Sequence, residues 1–129
     1  MIEAAPVRNA TDVVIIKFLT ENILSRFGCP RKLVTDNARS FKSEKMIKFC
    51  QNHNIILSHS TPYYPQGNGL AESSNRSLVW IIKKLLSKNK KNWDSKLVYA
   101  LWADQVSSKN SIGTSPFQLV YGIEVVVLV

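Results

Sequence analysis

The 129-residue chain is poor in the residues that usually announce a chemistry. Its two cysteines, Cys29 and Cys50, stand apart without CxxC spacing, and its two histidines, His53 and His59, have no cysteine pair to complete a site. This excludes a structural zinc within the chain and leaves the cysteines as small buried residues rather than a disulfide. No apolar run approaches the roughly 20 residues of a membrane span, and no basic-then-apolar leader opens the chain, so a soluble, intracellular protein without membrane contact is expected. Acidic residues are scarce, 9 against 17 lysines and arginines, which sets the net charge at +8 and the isoelectric point near 9.7. That balance favours a polyanionic partner, because Lys and Arg neutralise phosphates and release counterions. Charge alone does not separate DNA from RNA or acidic lipid. Repeats, low-complexity segments and interdomain linkers are also missing, and the length is that of one domain over residues 1–129 with a modest core.

What is present alternates between strands and helices. Residues 2–7 read weakly as a strand cut short by Pro6. Asn9 or Thr11 can cap a helix from about Asp12 to Ser25, whose Val13, Ile16, Leu19, Ile23 and Leu24 recur at helical spacing; Gly28 and Pro30 end it. A strand at Lys32 to Thr35 is followed by a helix from Ser43 to Asn52 with Met46, Ile47, Phe49 and Cys50 inward, then by a short buried strand at Ile55, Ile56 and Leu57. A later helix carries Leu78, Ile81, Ile82, Leu85 and Leu86, more apolar residues than one stripe needs, and is expected to be well buried or paired with a partner chain. Another starts at Asn92, with Trp93, Leu97, Ala100, Leu101 and Trp102 at core spacing; the tryptophans could instead stack on bases. Ser115-Pro116 opens a short final helix, and the apolar run from Ile123 to Val129 is β-prone and open to aggregation. This alternation predicts an α/β layered architecture.

Two carboxylates sit where ligands collect. Asp36 stands at the end of the Leu33-Val34-Thr35 strand, and open α/β sheets bind ligands at the carboxyl ends of their strands. It equally suits a turn or a helix cap. Glu72 falls in the first turn of a helix entered from a loop stiffened by Pro62 and Pro65 and loosened by Gly67 and Gly69. A Glu there is favoured by the helix dipole alone, so it too has a purely structural reading. Asn75 and Arg76, three and four residues on, share its face of the helix. Lys83, Lys84, Lys88, Lys90 and Lys91 crowd the other end, as phosphate contacts or as a solvated helix end.

The segments RFGCPRKLVTDN and PYYPQGNGLAESSNRSL, with thirty-five residues between Asp36 and Glu72, resemble the catalytic core of retroviral and LTR-retrotransposon integrases, most of all the gypsy class of retrotransposon. IEAAP, ALWAD and SPFQLVYG extend the likeness over nearly the whole chain. The resemblance implies an RNase H-like three-layer fold and a polyprotein origin. It implies Mg²⁺ (or Mn²⁺) held by Asp36 and Glu72 as catalytic carboxylates, and strand transfer joining element DNA to host DNA in the nucleus by a homo-oligomer. Asn37, Gln66, Asn68, Gly69, Asn75, Arg76, Lys83 and Lys84 are then the DNA-facing residues, and Phe41 packs under the strand end. The chain departs from the family in two places. The family's first two strands and the first Asp of its Asp-Asp-Glu triad have no counterpart, because IEAAP matches the segment that follows them; two ligands of three remain, and impaired activity with weak metal binding is expected. A non-catalytic nucleic-acid-binding or dimerising remnant is the alternative. Ala38 also replaces the usual Gly of the TDNG motif, which costs on the order of 1 kcal/mol if that position needs positive φ.

Overall fold

The computed structural model describes residues 1–60, 69–86 and 92–123. They form two units, Val7–Glu72 and Met1–Pro6 with Ser73–Val129.

In the first unit Thr11, not Asn9, caps helix α1 (Asp12–Phe18), its Oγ1 accepting the Val14 amide at 3.4 Å, with Asp12 in the first turn where the dipole favours a carboxylate. The helix runs on through a π-helical segment (Leu19–Leu24) into α2 (Ser25–Phe27). Hydroxyls of Thr20 and Ser25 donate to the carbonyls of Ile16 and Glu21, the local bonding by which such side chains disturb a regular ladder. Gly28 ends it at φ +80°, a conformation costly for a residue with Cβ. Strand β1 (Lys32–Thr35) follows, then a 3₁₀ turn (Arg39–Lys42), α3 (Glu44–Asn52) and β2 (Ile56–His59). Ser43 caps α3 by accepting the Met46 amide at 3.2 Å. The two strands are parallel, Lys32 opposite Ile56 and Thr35 opposite His59, so α3 is the crossover that a parallel pair requires.

The core of this unit is Leu19, Met46, Phe49, Cys50 and Ile55, flanked by Ile15, Ile16, Leu33, Phe41 and Leu57. Two expectations need correction. Ile47 is exposed, because Met46, Phe49 and Cys50 already define the inward stripe at i, i+3 and i+4 and Ile47 lies a third of a turn away. Ile56 is exposed as well: successive strand residues face opposite ways, so Ile55 and Leu57 turn inward and Ile56 does not. Cys50 is buried as expected, and burial, with Cys29 as a lesser influence, pushes its thiol pKa up. Cys29 is exposed instead, its Sγ donating to the His53 carbonyl at 3.2 Å.

In the second unit α4 (Gly69–Leu86, which begins in the first) and α5 (Trp93–Val106) contribute Leu78, Leu97 and Ala100 to a small core, against which Ile2, Ala4, Ile81, Ile82 and Leu101 pack. Residues 2–7 form no strand: Pro6 has no N–H to give a ladder, and the Ile2 carbonyl accepts from Gln105 Nε2 at 3.0 Å instead. Trp93 and Trp102 are exposed, against the core reading: Leu97, Ala100 and Asp104 define the buried face of α5, Trp102 lies opposite it, and Trp93, though on that side, stands in the first turn of the helix, one turn before Leu97. Asp104, 2% exposed, accepts two bonds from Lys109 Nζ at 2.9 and 3.0 Å. Ser115 and Pro116 start α6 (Pro116–Tyr121) as expected, and Gly122 closes it at φ +71°. The run from residue 124 to 129 lies outside the described residues. Among the described residues no helix is long and apolar enough to cross a membrane.

Met46 is 0% exposed at the centre of the first core. Met46→Ala is expected to lower stability by about 2 to 5 kcal/mol, through lost transfer energy and the cavity left behind, measured by urea unfolding.

Candidate metal and nucleic-acid site

Asp36 stands one residue beyond β1, and its exposed carboxylate accepts the Ala38 amide through Oδ1 at 2.9 Å. The turn reading and the ligand reading therefore coexist, since the Asx turn uses one oxygen of two. Asn37 Nδ2 donates to the Ser60 carbonyl, and the Ser60 amide donates to the Thr35 carbonyl at 2.8 Å, so the carboxyl ends of both strands are tied side by side. Ala38 has φ −60° and ψ 142°. The position makes no demand for glycine, and the expected cost of alanine there does not arise. Phe41, in the 3₁₀ turn, packs against the core beneath this strand end, as expected.

Glu72 lies in the first turn of α4, exposed, in the same unit as Asp36. Among the described residues neither carboxylate is held in an ion pair, whereas Glu21, Glu44 and Asp104 are each held by a lysine. Both thus offer uncommitted hard oxygens, the donor type Mg²⁺ and Mn²⁺ take. Among the described residues no group of three or more His, Cys, Asp or Glu side chains could hold a metal ion.

Gly69 is the first residue of α4 rather than part of the loop, while Gln66 and Asn68 lie outside the described residues, as do Lys88, Lys90 and Lys91. Further along α4, Asn75, Arg76 and Lys83 line a hollow of about 370 Å³ together with Val79 and Trp80. Lys84 Nζ sits 3.7 Å from the centre of the Trp80 ring, in cation–π range. Sequence reasoning misses Trp80, which is 58% exposed; its signal is the Arg76-Trp80-Lys84 spacing of four, which puts an aromatic between cations on one face. It also misses His59, whose Nδ1 lies 2.8 Å from the Thr35 hydroxyl beside Asp36. That pairing needs the β1–β2 register and has no local signature.

Residues 1–65 match the Integrase core domain family. Among curated proteins the chain is 32% identical over 123 residues to the Gag-Pol polyprotein of avian reticuloendotheliosis virus, covering 95% of this chain and 11% of the relative. It is 39% identical over 85 residues to the Gag-Pro-Pol polyprotein of bovine leukemia virus, 66% of this chain and 6% of the relative. The chain therefore spans a small part of these relatives' length. Among solved structures it resembles a simian T-cell lymphotropic virus intasome in complex with PP2A regulatory subunit B56 gamma, with TM-score 0.79, 25% identity, and coverage of 89% of this chain and 42% of that one. It also resembles the HTLV-2 integrase catalytic core domain in complex with magnesium, in a trimeric form, with TM-score 0.64, 29% identity, and coverage of 84% and 68%.

Since φ at Ala38 is negative, restoring the glycine of the motif brings only added freedom to the unfolded chain. Ala38→Gly is expected to reduce stability by about 0.4 to 1 kcal/mol by chemical denaturation, and to leave metal affinity unimproved by calorimetry.

Proposed function

Because the chain belongs to the Integrase core domain family and has the RNase H-like α/β fold of integrase cores, we propose that it is the part of an integrase that supplies two metal-ligating carboxylates and a DNA-tracking helix for Mg²⁺-dependent strand transfer. The observation that carries this reading is the placement of Asp36: exposed at the carboxyl end of a strand, anchored by one oxygen and free of any cation among the described residues. When bound, the divalent ion would stabilise the displaced oxygen of a phosphodiester and activate the attacking one. The protein's share is to hold and orient. Asp36 and Glu72 offer the hard oxygens. Arg76 has the planar fork that takes a phosphate bidentately, and Asn75 beside it can accept or donate. Asn37 is committed to Ser60, which makes it a support of the strand end; its DNA-facing role is secondary. Lys83 and Lys84 continue the cationic track, and the exposed Trp80 face gives a base something to stack on. Gln66, Asn68 and Gly69, at the entry to the helix, complete the DNA-facing set.

The relatives are retroviral, so a retroelement polyprotein is the source assigned; the finer gypsy-class source rests on the resemblance of the segments from IEAAP through RFGCPRKLVTDN and PYYPQGNGLAESSNRSL to SPFQLVYG. Work on integrating DNA belongs to the nucleus. With two carboxylates as its donor set, the 129-residue chain is proposed to be impaired by itself. A dimerising role is favoured by one observation: Val98, Tyr99 and Trp102 leave a broad apolar face of α5 exposed, which a second copy of the chain would cover.

Titration calorimetry of the chain with Mn²⁺ is expected to reveal one weak site that Asp36→Asn abolishes; two tight sites would defeat the two-ligand account. A DNA end incubated with the chain and Mn²⁺ is expected to give no strand-transfer products. Products that disappear in Glu72→Gln would show that the chain is active after all.

Duplex DNA affinity is expected to fall steeply with salt. Replacing Arg76, Lys83 and Lys84 together by Gln is expected to reduce the slope of log affinity against log salt by about 2 to 3, one phosphate contact for each residue removed. An unchanged slope would return these residues to a solvated surface.

A further inference from the structure

We propose that His59 is a positioning residue for Asp36, acting through the buried hydroxyl of Thr35, and that its imidazole carries its proton on Nδ1. The proposal deepens the metal-site reading and rests on it, although the hydrogen-bond geometry stands without a metal. Thr35 is the last residue of β1 and is 5% exposed. Its Oγ1 donates to the carbonyl of Asp36 at 3.0 Å and lies 2.8 Å from His59 Nδ1, across the last rung of the parallel ladder. A hydroxyl has a single proton. With that proton given to the Asp36 carbonyl, the bond to His59 forms only if Nδ1 is the donor. The neutral ring is therefore held with Nε2 bare.

The consequence reaches the carboxylate through the backbone. Thr35 orients the Asp36 carbonyl, Asn37 grips the Ser60 carbonyl, and the Asp36 side chain accepts from the Ala38 amide. Asp36 is thus fixed on both sides along the chain, and the His59 N–H, donating to Oγ1, fixes the rotamer of the Thr35 hydroxyl that holds it. An apolar side chain at 59 would leave the buried hydroxyl oxygen without a donor and its rotamer unfixed. Partners of this outer kind typically change metal affinity by about 10- to 100-fold when removed.

The test uses the whole chain. At about pH 8, well above the ordinary histidine range, two-bond nitrogen-15 NMR of the imidazoles, with His59 assigned by its loss in His59→Asn, is expected to show the Nδ1-protonated tautomer. A neutral ring protonated on Nε2 would overturn the proposal, and this measurement needs no destabilised variant. His59→Leu is expected to weaken Mn²⁺ binding about 10-fold and to speed exchange of the Ala38 amide, whereas His59→Asn, which keeps an N–H near the place of Nδ1, restores both to within about twofold of the parent. Thr35→Val is expected to match His59→Leu, with no further loss when the two are combined. Equal loss in His59→Leu and His59→Asn, or no loss in either, would overturn the positioning role. If instead Asp36→Asn leaves Mn²⁺ binding intact, the metal reading fails; the tautomer and the Ala38 exchange rate then decide the positioning role on their own, and an unchanged rate in His59→Leu overturns it.

Discussion

Four rungs of parallel pairing, from Lys32 opposite Ile56 to Thr35 opposite His59, are the constraint on which the Val7–Glu72 unit depends. A parallel pair cannot be closed by a tight turn, so the chain must leave β1, cross over and return in the same direction. Ser43 starts the crossover helix, and Met46, Phe49 and Cys50 press its one apolar stripe into the cluster that also takes Leu19 and Ile55. The ladder ends on a polar set: the Thr35 hydroxyl, the His59 imidazole and the Asn37 amide, all satisfied by one another or by nearby carbonyls. Only because those bonds are made can Thr35 be buried one residue before an exposed carboxylate.

Helix α4 answers to a different demand. It must bury Leu78 and keep a cationic, aromatic face outward, and it meets both by angular separation along 18 residues. Glu72 in its first turn sits at the positive end of the helix dipole, and Lys83 and Lys84 in its last turn at the negative end, so local electrostatics and the proposed roles agree. That agreement is why neither the carboxylate nor the lysines, taken singly, argue for function. The Trp80 face argues more strongly. An indole 58% exposed beside Arg76 and Lys83, with the Lys84 ammonium over it, contributes little to a core and offers a stacking surface with charge around it.

Much of this fold is legible in the amino-acid sequence. The strand at Lys32 to Thr35, the caps at Thr11, Ser43 and Ser115, and the helix stop at Gly28 are local events decided by a few neighbouring residues. Asp36 and Glu72 are legible as well, because a strand end and a helix start are both marked in the chain. Most departures from expectation concern the facing of apolar residues. Ile47, Ile56 and Trp102 are apolar residues next to a core, and whether such a residue turns in or out depends on a phase that an apolar-rich segment leaves ambiguous, whereas Trp93 is in phase with the core and exposed because it stands in the first turn of α5. Residues 2–7 form no strand for a related reason, since a strand exists only with a ladder partner and no local pattern supplies one.

Residues 2–7 apart, the amino-acid sequence by itself determined the element types, their order, the basic charge and the two carboxylates, since each follows from propensity, capping or composition within about a dozen residues. Only the tertiary structure decided the partner of Thr35, the tie from Asn37 to Ser60 and the unstrained backbone at Ala38. Those depend on the register between strands whose paired residues lie 24 positions apart, and register is a property of packing.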